Sequence, residues 1–150
     1  VRVSASAYAP FGDFEVRGVS RWQALDRGTG KVNTEDSAAA FIHFENGAVM
    51  FAEASWALNA PEGRYTQLCG EKAGATLDPF VIYRENASHF LVDERPVVQP
   101  VNRFAQEIRH FIDCIRQGRE PIAPISDGVT VQRMLDAIYR SARSGREVEL

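Results

Sequence analysis

The sequence predicts an α+β domain, built as a single open-faced, largely antiparallel mixed β-sheet with helices packed on one face. Three observations predict it. Strand-like segments fill the first two thirds of the 150 residues and helical periodicity fills the last third, an order that does not fit alternating βαβ units. Asn46-Gly47 joins two apolar runs, the strongest short-range signal for a hairpin. Phe104, Ile108, Phe111, Ile112 and Ile115 recur at the spacing of one helix face.

Each element has its own justification. Residues 1–9 alternate weakly and favour a strand. Residues 10–34 read as loop, with Pro10, Gly12, Gly18, Gly28 and Gly30, interrupted at most by a short strand over 14–19. Long unpatterned loops inside a domain are uncommon and often functional. Runs 36–45 and 48–58 form the hairpin. A two-residue turn at Asn46-Gly47, with both residues at positive φ, sets the register. One face then carries Ala38, Ala40, Ile42, Phe44, Val49 and Phe51, with Glu53 and Ser55 toward the far end. The other carries Ala39, Phe41, His43, Met50, Ala52, Ala54 and Trp56. A wet sheet face should be polar. This second face is not, so it is covered within the domain or by another domain or subunit.

Further strands are expected over 64–69, 74–78, 80–84 and 89–92, with a turn over 70–74 and a second hairpin turned at Asn86 and Ser88. Pro96 and Pro100 end the sheet region. The first helix has Asn102 to cap its start and Gly118 to end it. Pro121 and Pro124 mark the next connection. The second helix places Val131, Met134, Leu135, Ile138, Tyr139 and Ala142 on one face, with Ser126 as its cap and Gly145 at its end. Residues 146–150 return as a short edge strand.

Composition narrows the function. The chain is 45% hydrophobic and 25% charged, enough to fill a core. A net charge of −3 argues against nucleic acid, which requires a concentrated basic face. Arg140, Arg143 and Arg146 lie beside Glu147 and Glu149 and read as a solvated face. No apolar run approaches the ~20 residues that span a bilayer, and no signal peptide is present. A cytoplasmic location is expected. The opening at Val1, already strand-like, suggests a piece of a longer protein. Cys69 and Cys114 match no zinc or redox spacing and read as reduced, partly buried thiols.

The chemistry-bearing motifs do not complete. Gly28-Thr29-Gly30 begins a dinucleotide-binding fingerprint, but position 33 is Asn33. Gly30-Lys31 resembles the end of a phosphate loop, yet Leu25 and Val32 stand where glycine and a hydroxyl residue belong. His43, His89 and His110 show no metal-ligand spacing, and His43 reads as a buried or interface residue. Adjacent carboxylates Glu35 and Asp36 point to opposite faces of a strand, so Asp36 reads as a loop brace. Glu53 would need a partner if buried. No catalytic, cofactor-binding or metal-ligating residue is assigned.

The residues nevertheless resemble a family. Glu35-Asp36-Ser37-Ala38 through Phe44-Glu45-Asn46-Gly47-Ala48 is similar to the hairpin in the C-terminal domain of the glucose–fructose oxidoreductase, inositol dehydrogenase and MocA family. Gly70-Glu71-Lys72-Ala73-Gly74-Ala75 looks like its following turn. Phe111-Ile112-Asp113, Gly118-Arg119-Glu120-Pro121, Asp127-Gly128, Ala137-Ile138-Tyr139-Arg140-Ser141-Ala142 and Gly145-Arg146-Glu147-Val148 look like its closing segment. The match is collinear over nearly the whole chain.

The resemblance implies an open-faced sheet domain, like the C-terminal domain of glyceraldehyde-3-phosphate dehydrogenase, that follows a Rossmann domain. The expected function is the substrate-binding and oligomerisation half, residues 1–150, of an NAD- or NADP-dependent sugar or polyol oxidoreductase. The Rossmann half, which carries the cofactor loop and the family's catalytic groups, lies outside this sequence. The chain alone should therefore bind no cofactor and turn over nothing. The resemblance places Asn59, Glu62, Arg64 and Tyr65 at the substrate cleft. Arg21 and Trp22 in the long loop are further polar and stacking candidates. Phe41, His43, Met50 and Trp56 are expected at a homo-oligomer interface on the sheet face. The rival expectation is a non-catalytic module that dimerises through its sheet and binds a small ligand or a protein.

Overall fold

A computed structural model describes residues 1–8, 35–55, 63, 65–88 and 91–150. Among these residues, eight strands and two helices stand in the order β1 (Arg2–Tyr8), β2 (Ser37–His43), β3 (Val49–Ser55), β4 (Gln67–Cys69), β5 (Gly74–Leu77), β6 (Phe80–Glu85), β7 (Leu91–Glu94), α1 (Arg103–Gln117), α2 (Ile125–Ser144) and β8 (Val148–Glu149). The class is α+β as expected. Among the described residues the strands form two four-stranded sheets rather than one, β3-β2-β1-β8 and β4-β5-β6-β7. Every pairing is antiparallel. The chain divides into two compact units, 1–59 with 122–150, and 60–121.

The first unit has its core between α2 and one face of its sheet. Alternation along β1 sends Val3 inward, and register places it between Ile42 and Val148. Val3, Ala40, Ile42 and Ala137 form the buried cluster, with Val1, Ala5, Phe44, Ile138 and Val148 packed around it. The buried stripe of α2 is Ala137 and Ser141, flanked by half-buried Met134 and Ile138. It is rotated from the expected stripe, so Val131, Leu135 and Tyr139 stand exposed. Small residues let a helix lie close on a strand, and they carry almost no hydrophobic signal in the sequence.

Ser141 shows what that close approach requires. Its hydroxyl accepts from the Ala5 amide at 2.9 Å and donates to the Arg146 carbonyl at 2.7 Å. The short β8 pairs only with Arg2 and Val3, so Ser141 takes over as the partner of β1 one step further along. Removing a buried hydrogen-bonding partner costs about 1–3 kcal/mol per group left unsatisfied. Ser141→Ala is expected to lower stability by about 2 kcal/mol, read as a shift in the urea midpoint at unchanged slope. A change within error would show that water replaces the hydroxyl.

The turn of the first hairpin differs from expectation. The Gly47 amide bonds the Phe44 carbonyl at 3.0 Å, and the Phe44 amide bonds the Ala48 carbonyl at 2.9 Å. Glu45-Asn46-Gly47 is thus a three-residue loop, a turn followed by Gly47 at φ 85°. A non-glycine residue is strained there. The extra loop residue shifts the register by one, pairing Phe41 with Phe51 and Ile42 with Met50. Met50 therefore shares the face of Ala40 and Ile42, not that of Phe41 and His43.

In the second unit, β4 to β7 form a meander. The β4–β5 turn closes with the Gly70 amide on the Ala73 carbonyl at 3.0 Å. A Cβ on Gly74 would sit 3.0 Å from the Leu68 carbonyl oxygen, so the turn needs its second glycine. Of the strand expected at 89–92, residues 89 and 90 lie outside the described residues, and the described strand runs Leu91–Glu94. Helix α1 begins as expected, with Asn102 accepting from the Ala105 amide at 3.0 Å, and ends at a left-handed Gly118. Helix α2 starts after Pro124 with no side-chain cap. Ser126 lies inside it, and Asp127 in its first turn complements the helix dipole.

Candidate functional site

Two features of the first unit bear on function: the uncovered sheet face, and the sheet end from which two long segments leave.

The uncovered face follows from alternation and register. It carries Tyr8 from β1, Phe41 and His43 from β2, and Val49 and Phe51 from β3, because residues paired across antiparallel strands share a face. Phe41 is 42% exposed and Phe51 69%. The Phe41 and His43 rings meet edge to face, with centroids 4.9 Å apart. Two expected interface residues thus lie on one apolar patch. Met50 does not join them, because the one-residue longer loop turns it toward the α2 side. Trp56 lies outside the described residues. Val49 and Phe51 belong to the patch instead. The two-residue turn expected at Asn46-Gly47 hid them, because only a three-residue loop over Glu45-Asn46-Gly47 places them on this face. Glu53 is exposed, so the partner required for a buried carboxylate is not needed.

The far end of the sheet is a junction. Tyr8, Ser37 and Ser55 stand side by side in the register. The segment 9–34 leaves after Tyr8 and returns at Glu35, and 56–62 leaves after Ser55. The Asp36 amide bonds the Tyr8 carbonyl at 2.8 Å, and the Ser55 hydroxyl donates to the Asp36 carbonyl at 2.9 Å. These bonds, both made by the Asp36 backbone, tie the three roots together. Asp36 is itself buried. Glu35, Asp36, Ser37, Ala38, Ala54 and Ser55 line a hollow of about 290 Å³.

At its rim the Tyr139 hydroxyl donates to Glu35 Oε1, a contact across 104 residues that no local pattern announces. This bond, with a backbone hydrogen bond, holds the Glu35 carboxyl below its ordinary 4.5, and it raises the Tyr139 hydroxyl above its ordinary 10.0. The lowered carboxyl contributes stability above pH 4.5 that is lost as pH falls through the lowered value. The raised phenol contributes stability below pH 10.0 that is lost as pH rises through the raised value. Both effects are small, since the pair is solvent-exposed. Tyr139→Phe should move the Glu35 titration upward, toward its ordinary position, followed by side-chain carbon NMR. An unmoved titration would show that the bond does not persist in solution.

The substrate-side candidates are mostly outside the described residues: Arg21, Trp22, Asn59, Glu62 and Arg64 all are. Tyr65 is described. It is 74% exposed, and its hydroxyl donates to Gln67 Oε1 at 2.8 Å. Cys69 is exposed, against the partly buried expectation, and Cys114 is buried beside His110, with Sγ 3.5 Å from Nε2.

The described residues do not fit a dinucleotide. Binding its pyrophosphate takes a glycine-rich turn running from a strand into a helix N-terminus. Here α1 and α2 are entered through Asn102 and Pro124, without such a turn. No group of three His, Cys, Asp or Glu side chains among the described residues is placed to hold a metal ion. No helix among them is long and apolar enough to cross a membrane.

Among the described residues the first unit is thus an open antiparallel sheet backed by a helix, and neither helix is entered through a glycine-rich turn. Residues 10–150 match the model of the oxidoreductase family C-terminal alpha/beta domain, and the chain belongs to that family. It is 34% identical over 120 residues to D-glucoside 3-dehydrogenase of Escherichia coli (strain K12), covering 79% of this chain and 34% of that protein. It is 26% identical over 115 residues to D-xylose 1-dehydrogenase (NADP(+)) 2 of Haloferax volcanii, covering 73% of this chain and 35% of that protein. Its fold matches a levoglucosan dehydrogenase solved in complex with NADH and levoglucosan, at a TM-score of 0.76 and 17% identity, over 99% of this chain and 44% of that one. The chain spans about a third of the length of the curated relatives it matches.

Proposed function

We propose that this chain is the substrate-side and oligomerisation domain of a dehydrogenase that oxidises a sugar or polyol hydroxyl with NAD or NADP. The observation that carries this reading is the family match over residues 10–150. The 34% identity to a D-glucoside 3-dehydrogenase supports a sugar substrate. The NADP(+) and NADH named for two relatives support a nicotinamide cofactor.

In this reading the dinucleotide sits on an N-terminal Rossmann half, and this chain supplies no phosphate cradle. Its task is to close the substrate cleft. Asn59, Glu62, Arg64 and Tyr65 are the residues proposed to meet substrate, with Arg21 and Trp22 as further polar and stacking candidates. Sugar hydroxyls need directional partners, and these side chains offer amide, carboxylate, guanidinium and phenol groups. The open face around Phe41, His43 and Phe51 pairs with a second copy, since contiguous exposed apolar surface marks an interface.

Two measurements test the reading. The isolated chain, supplied with NAD or NADP and methyl β-D-glucoside, is expected to give no nicotinamide reduction and no tight dinucleotide binding. Tight binding would overturn the division of labour. Light scattering over a dilution series is expected to give twice the 16.7 kDa chain mass. A monomer that stays clean at high concentration would remove the interface assignment. A partner protein or a non-sugar ligand bound on the sheet face would favour a non-catalytic module instead.

A further inference from the structure

We draw no further inference here: the strongest candidate, the exposed apolar face of α1 carried by Phe104, Ile108, Phe111, Ile112 and Ile115, carries nothing because nothing in the structure shows what covers it.

Discussion

Ile42→Ala is expected to destabilise the chain by about 3 kcal/mol, within the ~2–5 kcal/mol range of large-to-small changes in a packed core. Ile42 is 1% exposed, at the centre of the cluster with Val3, Ala40 and Ala137. Its neighbours are held by the β1 and β3 ladders and by α2, so the site cannot collapse to fill the space. Most of the cost is therefore a retained cavity added to the lost transfer energy. Urea unfolding followed by far-UV circular dichroism measures it. Ile42→Val should cost only ~0.5–1.5 kcal/mol. Val131→Ala, on the exposed side of α2, should change stability by less than ~0.5 kcal/mol. An Ile42→Ala cost below that of Ile42→Val would mean that the core is not centred where it is placed here.

Phe41→Glu combined with Phe51→Glu is expected to weaken the self-association proposed for the open sheet face by at least about 30-fold, the equivalent of a central hot-spot loss of ~2 kcal/mol. The two rings are directly paired across β2 and β3, so they form one patch. Putting carboxylates there desolvates two like charges in each protomer on pairing. The fold should tolerate the change, because both rings already face solvent at 42% and 69% exposure. Sedimentation or light scattering reads the dissociation constant, and circular dichroism checks that the sheet survives. Met50→Glu is the informative control. Met50 lies on the helix side of the sheet, so this change should lower stability and leave association unchanged. Were Met50→Glu to abolish association while the phenylalanine changes did not, the face assignment would be reversed.

That control turns on the part of the hairpin that was least legible. Asn46-Gly47 correctly announces a hairpin, because Gly47 takes the left-handed φ that closes it. It does not distinguish a two-residue from a three-residue loop. The hydrophobic pattern usually arbitrates register, since a one-residue slip exposes the core face. Here both faces of β2 and β3 are apolar, so either register looks acceptable in sequence. The loop geometry decides, through the Phe44 amide on the Ala48 carbonyl, which sets Phe41 opposite Phe51 and Ile42 opposite Met50.

Helix α2 repeats the lesson. Its ending at Gly145 is local and readable, whereas its start falls after Pro124 and not at a Ser126 cap. Its inward face is not, because Ala137 and Ser141 are chosen for close approach and for the two hydrogen bonds of the Ser141 hydroxyl. The Tyr139–Glu35 contact joins residues 104 apart and has no local signature at all.

By itself, then, the sequence determined the α+β class, the hairpin, both helices with their glycine ends, and the family, because each rests on local backbone preference or on collinear motifs. Tertiary structure decided the hairpin register, the buried side of α2, the division of the strands between two sheets and the junction that ties Tyr8, Asp36 and Ser55. Those outcomes depend on which distant groups meet, and a hydrogen bond or a close helix–strand contact is selected by geometry that neither spacing nor hydrophobicity encodes.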